Sequence, residues 1–276
     1  MKDLIMYIIL GFIQGLTEPI PVSSSGHVLI IQTILQKFIT DIPVDFGTLA
    51  TITNLGSLVA IIVLFREKIF TLVKSFITYI FKKEERKKLQ NDYNHCWKIV
   101  LATIPAGLMG LVATVFDLLD TLEENVKFIG LTLLITSVFL YLIKDFKGKK
   151  DEEDISWKDA FIIGLYQMVA IIPGISRSGS TIVGGMFQGL KRETAFNFSF
   201  ILYIPISIAT SILGIKDLFE LGLASSTWIL YIIAAIVSGI FTYICTKWFA
   251  KIVKEGKLIY FSIYCLIVGT LVILFL

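Results

Sequence analysis

Gln14-Gly15-Leu16-Thr17-Glu18-Pro19-Ile20-Pro21-Val22-Ser23-Ser24-Ser25-Gly26-His27 lies inside an apolar region that runs from residue 4 to residue 38. A single helix does not accommodate it, because Pro19 and Pro21 each remove a backbone donor and crowd the preceding turn. The region therefore reads as two short half-helices around a polar break. Residues 159–190 have the same form, broken at Pro173-Gly174-Ile175-Ser176-Arg177-Ser178-Gly179-Ser180-Thr181. Non-helical backbone at membrane depth survives only where protein or water covers it. Both regions are expected to be re-entrant hairpins.

The rest of the chain supports a membrane reading. Of 276 residues, 55% are hydrophobic and 17% are charged, against about 25% charged in soluble domains. Segments 46–65, 99–116, 126–143, 196–215, 228–245 and 258–275 are each long and apolar enough to cross the roughly 30 Å hydrocarbon core as a helix. The expected fold is an all-α integral membrane protein, one membrane domain over 1–276, with six transmembrane helices and two re-entrant helical hairpins. The net charge of +3 gives no reason to expect nucleic acid as a partner. Cys96, Cys245 and Cys265 form no CxxC pair and read as free thiols. No small-residue cleavage site follows a simple apolar core near the N-terminus, so no signal peptide is inferred there.

Basic residues orient the spans. Of the 25 lysines and arginines, twenty fall in 66–98, 144–158, 191–192 and 247–257, which assigns those segments to the cytoplasm. Lys2, Lys37, Lys127 and Lys216 remain for the outer face, and Arg177 lies inside the second hairpin. This threading puts both termini outside. The first hairpin then enters from outside and the second from the cytoplasm. Each half is a hairpin plus three helices, an odd number of spans, so residues 1–143 and 155–276 are expected to be inverted repeats. At an offset of 153, Gly11, Gln14, Ser23, Ser25 and Gly26 match Gly164, Gln167, Ser176, Ser178 and Gly179. Inverted repeats with broken helices place a binding site near the midplane, and transporters use the same architecture.

Within the hairpins, away from their ends, the ionisable residues are Glu18, His27 and Arg177. Such residues are costly in a bilayer and mark function by default. Gln14 and Glu18 share a helical face and offer oxygens to a hard cation, Mg²⁺ or Ca²⁺; Glu18 alone also suits a general base. Ser23, Ser24, Ser25 and Gly26 open the next half-helix, whose free N–H groups and dipole suit a phosphate. Arg177 supplies a planar fork for phosphate oxygens, with Ser176, Ser178 and Thr181 as hydroxyl donors around it. This inventory suits phosphoryl transfer. Plainer readings stand beside it. Glu18 and Arg177 would also serve as a pair that locks the hairpins together, and the small-residue runs would serve close helix packing. His95 reads as a solvated residue of a basic cytoplasmic loop, and 82–88 as a charged surface. Asn54 either faces the site or bonds a neighbouring helix.

Residues 14–27 and 173–181 closely resemble the two signature segments of the bacterial undecaprenyl-diphosphatase family, the bacitracin-resistance type. One signature has Glu or Gln, three residues, then Glu, followed by Pro-Val-Ser-Ser-x-Gly-His. The other is Pro-Gly-x-Ser-Arg-Ser-x-x-Thr. The likeness continues through Gly189-Leu190-Lys191-Arg192-Glu193, Phe198-Ser199-Phe200 and Pro205. It implies a multi-pass enzyme of the bacterial plasma membrane whose site opens to the outer face. The implied activity is hydrolysis of undecaprenyl diphosphate to the monophosphate and phosphate, dependent on Mg²⁺ or Ca²⁺. That activity recycles the carrier for peptidoglycan and other envelope polymers and confers bacitracin resistance. By resemblance Glu18 is the essential acid, Ser24 the proposed nucleophile and Arg177 the phosphate holder. Gln14 stands where many members have Glu; it can ligate a cation but cannot be a base, which moves acid–base work to Glu18 or His27.

Two rival readings share parts of this pattern. The phosphatidic-acid-phosphatase class shares Ser-Gly-His and Ser-Arg segments, but it needs a later histidine and an Arg-Pro motif; the histidines here are His27 and His95, and there is no Arg-Pro. The remaining rival is a transporter of prenyl phosphate lipids that binds the same headgroup without releasing phosphate. The expected partners are a prenyl diphosphate substrate and membrane lipids, and a homodimer is left open.

Overall fold

The computed structural model describes residues 2–38, 46–116, 118, 122, 125–220 and 225–276, and the side chains of Lys2 and Lys216 lie outside what is described. The described residues form eleven α-helices: α1 Lys2–Thr17, α2 Ser24–Phe38, α3 Phe46–Leu64, α4 Arg66–Phe81, α5 Arg86–Val115, α6 Val126–Leu142, α7 Trp157–Val169, α8 Arg177–Phe187, α9 Arg192–Glu220, α10 Ser225–Glu255 and α11 Ile259–Phe275. A 3₁₀ turn at Lys83–Glu85 joins α4 to α5, and an isolated bridge pairs Lys150 with Leu190.

Four helices contain stretches long and apolar enough to cross a membrane: Gly47–Leu64, Lys83–Val115, Arg192–Gly214 and Thr227–Glu255. Helices α6 and α11 are 17 residues each, about 25 Å at 1.5 Å per residue, the short end of the spanning range. The protein is an all-helical, multi-pass membrane protein. Its surface confirms the solvent: Ile232, Ile236, Ile240 and Ile244 are exposed along one stripe of α10, four residues apart, as are Leu108, Leu111, Val112 and Val115 on α5.

Small and hydroxylated residues pack the interior. In hydrocarbon, helices associate through close backbone approach and interhelical hydrogen bonds rather than apolar burial. A Cβ added at Gly11 in α1 would lie 2.5 Å from the Ala234 carbonyl oxygen in α10, and one at Gly164 in α7 would lie 2.5 Å from the Ala102 carbonyl oxygen in α5. Each of these short helices thus leans on a long helix distant in the chain, through glycines 153 residues apart. Helices α6 and α11 meet antiparallel and reciprocally. The Ser137 hydroxyl donates to the Ser262 carbonyl at 2.7 Å, and the Ser262 hydroxyl donates to the Ser137 carbonyl at 2.8 Å. Between α3 and α10, Ser57 Oγ lies 2.9 Å from Ser238 Oγ and 2.8 Å from Thr242 Oγ1.

The basic segment 66–98 departs from the loop expected of it. Helix α4 and the first turns of α5 form a helical hairpin stitched by Ser75 donating to Asp92 at 2.7 Å and by Tyr79 stacked on Tyr93 at 3.9 Å. His95 is accordingly not a solvated surface residue. It is buried, stands edge-on to Phe198, and places Nε2 3.4 Å from Glu152, which also pairs with Lys68. The high charge of the segment hid an amphipathic helix whose inner face carries the buried Leu72 and Ser75. Residues 82–88 are exposed, as a charged surface should be.

Candidate active site

The first hairpin turns on Ser23, whose φ of 68° is the sole positive value among described non-glycine residues. That left-handed conformation is costly for a residue with a Cβ and persists only when its surroundings hold it. Here the surroundings are specific. Val22 N–H donates to the Ile20 carbonyl at 2.8 Å, which closes a tight turn behind Pro21. The Ser23 carbonyl then accepts from His27 N–H at 3.2 Å and from His27 Nδ1 at 2.8 Å. A carbonyl only accepts, so Nδ1 carries the proton, and in the neutral ring Nε2 accepts the Tyr264 hydroxyl at 2.8 Å.

This turn delivers Ser24 to Glu18. Ser24 Oγ donates to Glu18 Oε2 at 2.5 Å, and Gln14 Nε2 donates to the same oxygen at 2.8 Å from one helical turn earlier. The other oxygen, Oε1, pairs with Arg177 Nη2 from the second hairpin. Arg177 in turn donates from Nη1 to Ser207 Oγ at 3.3 Å and lies 4.0 Å above the Tyr203 ring. Tyr203 donates to Asn54 Oδ1 at 2.9 Å, so Asn54 both bonds a neighbouring helix and lines the site.

The second hairpin repeats the entry to the first in unstrained form. Ser176, with φ −68° and ψ 121°, caps α8 by accepting from Gly179 N–H at 3.1 Å. In the first hairpin Ser23 Oγ accepts from Gly26 N–H at 3.3 Å. Both caps thus sit at matched positions, each with its glycine three residues on. The half-helix α8 opens onto the first hairpin, where Ser178 Oγ reaches the Ile20 carbonyl at 3.4 Å.

The two breaks meet at one cavity of about 610 Å³, lined among others by Gln14, Glu18, Ser23, Ser24, Ser25, Ser176, Arg177 and Ser178. Thr181 lies behind them, donating to the Arg177 carbonyl at 2.9 Å and lining a small niche with Ser199 and Phe200. His27 lines neither space; its ring is held between Ser23 and Tyr264. Tyr203, Ser207, Thr210 and Ser211 on α9 were not foreseen. Ser207, Thr210 and Ser211 follow Tyr203 by 4, 7 and 8 residues, the repeat of one helical face in an apolar span, which was the available signal.

Glu18 is the one carboxylate among the described residues lining this cavity, and no cluster of three His, Cys, Asp or Glu side chains occurs among them. Gln14 donates an amide N–H to Glu18, and its side-chain oxygen is of the neutral donor type that hard cations accept. One carboxylate and one amide oxygen fit a hard cation that keeps most of its own waters, as Mg²⁺ does, and not an all-protein cage.

The family model described as bacitracin resistance protein BacA matches residues 7–271. The chain belongs to this family. It is 43% identical over 273 residues to undecaprenyl-diphosphatase 2 of Bacillus thuringiensis (strain Al Hakam), covering 99% of this chain and 98% of the relative. It is 42% identical over 274 residues to undecaprenyl-diphosphatase 1 of Bacillus licheniformis, covering 99% and 98%. It is 41% identical over 275 residues to the undecaprenyl-diphosphatase of Oceanobacillus iheyensis, covering 99% and 97%. The match spans both hairpins and every described helix.

Proposed function

We propose that the protein is a membrane hydrolase that converts undecaprenyl diphosphate to undecaprenyl phosphate and inorganic phosphate, and so recycles the carrier lipid and confers bacitracin resistance. The observation that carries the reading is the Ser24–Glu18–Arg177 chain, which joins a hydroxyl, a base and a phosphate-binding fork at one cavity. The names of the relatives speak for hydrolysis rather than for transport alone.

The geometry supports a mechanism. Arg177 and the N–H groups at the mouths of α2 and α8 hold the diphosphate oxygens. Ser24 Oγ attacks the terminal phosphorus while Glu18 Oε2, already its acceptor at 2.5 Å, takes the proton. The bond from phosphorus to the bridging oxygen breaks, and the lipid monophosphate leaves with that oxygen. Glu18 returns its proton to the leaving monophosphate and, ionised again, takes a proton from water, whose oxygen attacks the phosphoserine; the bond from phosphorus to Ser24 Oγ breaks, and Glu18 passes that proton to Oγ as inorganic phosphate leaves. His27 holds the strained Ser23 in place and so aims Ser24. Gln14 and Glu18 would hold the cation, Mg²⁺ or Ca²⁺, which supplies charge neutralisation at the phosphates.

The proposed membrane frame has six spans, with α6 and α11 as the shortest, two re-entrant hairpins, and inverted halves over 1–143 and 155–276. Both termini and the cavity mouth face outward in this frame. The glycine contacts of α1 and α7 at matched positions and the reciprocal antiparallel pair α6–α11 support it.

The test is phosphate release from undecaprenyl diphosphate by purified protein in detergent, with Mg²⁺ or Ca²⁺ and with EDTA, beside Arg177→Ala. Cation-dependent release that vanishes in the variant is expected. Absence of release by folded protein with either cation, together with movement of labelled lipid across a bilayer, would replace this reading with transport.

A further inference from the structure

The cavity holds polar groups that the mechanism leaves without a task. Gln167, in the last turn of α7, is 2% exposed, and neither its amide nitrogen nor its amide oxygen has a hydrogen-bond partner. Ser211 on α9 is 3% exposed, and its hydroxyl is also unpartnered. Five buried side-chain atoms lack a partner among the described residues, and three of them belong to these two. Both residues line the large cavity, whereas the other two residues concerned, Ser180 and Arg192, do not.

Burying an amide or a hydroxyl without a partner is unfavourable, so unpaired groups on residues that line one space mark the surroundings of a polar ligand. The neighbours say which kind. Ser207, one helical turn before Ser211, accepts from Arg177, so the face of α9 that seats the guanidinium continues into Ser211. The sequence of the second hairpin adds a reason for Gln167 to be free. It stands 153 residues after Gln14, whose amide is spent on Glu18, but four residues after Gln167 comes Ile171, which offers no carboxylate. An amide N–H, a hydroxyl and a guanidinium around one space suit an oxyanion with more oxygens than one fork can serve.

We propose that Gln167 and Ser211 form a phosphate subsite beside Arg177, which binds the diphosphate end of the substrate that the Ser24–Glu18 pair does not attack. The identity of the ligand rests on the hydrolase reading; the existence of the subsite does not. In this arrangement Gln167 is substrate-binding, and its unpaired amide in the free protein is held ready for the headgroup.

The experiment uses the full chain in detergent with Gln167→Met, a swap that conserves volume and removes the amide, and with Ser211→Ala. The probe is methylenediphosphonate, a diphosphate analogue whose carbon bridge resists hydrolysis, read by thermal unfolding with Mg²⁺ present. Without probe, Gln167→Met is expected to unfold at the wild-type temperature or above it, because an unpaired buried amide is lost. With probe, its stabilisation is expected to fall below half of the wild-type shift. KM for undecaprenyl diphosphate is expected to rise about ten-fold, the loss of one hydrogen bond to a charged group, with kcat within about three-fold. A lower unfolding temperature with an undiminished probe shift would make the amide structural and overturn the subsite. Unchanged KM and unchanged probe shift would mean that water alone serves the amide, and would overturn it equally. Wild-type protein that is stabilised by the analogue, through Gln167, yet releases no phosphate would remove the hydrolase reading and leave the subsite standing.

Discussion

The two hairpins share a backbone device and divide the chemistry. Each opens its second half-helix with a serine that caps the glycine three residues on, Ser23 to Gly26 and Ser176 to Gly179. Each seats its first half-helix on a long helix through a glycine, Gly11 or Gly164. From there they part. The first hairpin is strained at Ser23 and carries the acid and the hydroxyl; the second is relaxed and carries the cation at Arg177. One capping device used twice thus gives two helix mouths at one cavity, and under the proposed mechanism the difference between the copies supplies the asymmetry that a directed attack on phosphorus requires.

The sharpest way to break this comparison is to remove the ion pair that joins the two hairpins. Arg177→Ala leaves the buried Glu18 without its counter-ion, whereas Glu18→Ala leaves a partly exposed Arg177 without its own, so the first is expected to cost more stability. A buried pair broken on one side costs about 3–5 kcal/mol, and the phosphate loses its fork as well. Both variants are expected to lose activity by about 10³-fold or more in kcat/KM, with lower unfolding temperatures. Arg177→Lys keeps the charge but not the fork and is expected to recover little of it. Full recovery by lysine would reduce the second hairpin to a point charge.

Adjacent serines sharpen the division within the first hairpin. Ser24 donates to Glu18 at 2.5 Å, while Ser25 is exposed on the cavity wall. Ser24→Ala is expected to lower kcat by about 10²–10³-fold with KM little changed, and Ser25→Ala by less than about ten-fold. If Ser24→Ala keeps most of its turnover, the phosphoserine is not formed and water attacks directly. Tyr264→Phe acts one step further out. It removes the hydroxyl on His27 Nε2 at 2.8 Å, and a single hydrogen bond of about 1 kcal/mol predicts a roughly five-fold loss in kcat through the aim of Ser24. A loss as large as that of Ser24→Ala would put His27 in the chemistry rather than behind it.

The sequence disclosed the two breaks because prolines, serines and glycines punctuate an apolar chain in a way that no continuous helix tolerates. It singled out Glu18 and Arg177 because ionisable residues are rare at membrane depth, and Ser24 through the likeness of its motif to the family signature. It did not disclose who would touch whom. Glu18 and Arg177 are 159 residues apart, and their contact depends on tertiary packing that neither hairpin specifies alone. Tyr203 and Ser207 were illegible for the same reason: a tyrosine and a serine in an apolar span read as ordinary packing until Arg177 is laid over them. Helix α4 was lost to its own charge, since lysines and a glutamate on an outer face masked the period of the inner one.

The smallest effect isolates the strain that separates the two hairpins. Glycine replaces serine as an N-cap at a cost of only a few tenths of a kcal/mol. At Ser176, where φ is −68°, nothing offsets that loss, and Ser176→Gly is expected to be slightly destabilising. At Ser23, where φ is 68°, glycine also removes a left-handed penalty of about 1–2 kcal/mol, so Ser23→Gly is expected to be neutral or stabilising in thermal unfolding. The same relief loosens the turn that His27 grips, and kcat should fall while the unfolding temperature holds or rises. That opposition is what strain held for the sake of Ser24 predicts. If Ser23→Gly lost stability as Ser176→Gly does, the two caps would be equivalent, and the asymmetry of the site would rest on its charged residues alone.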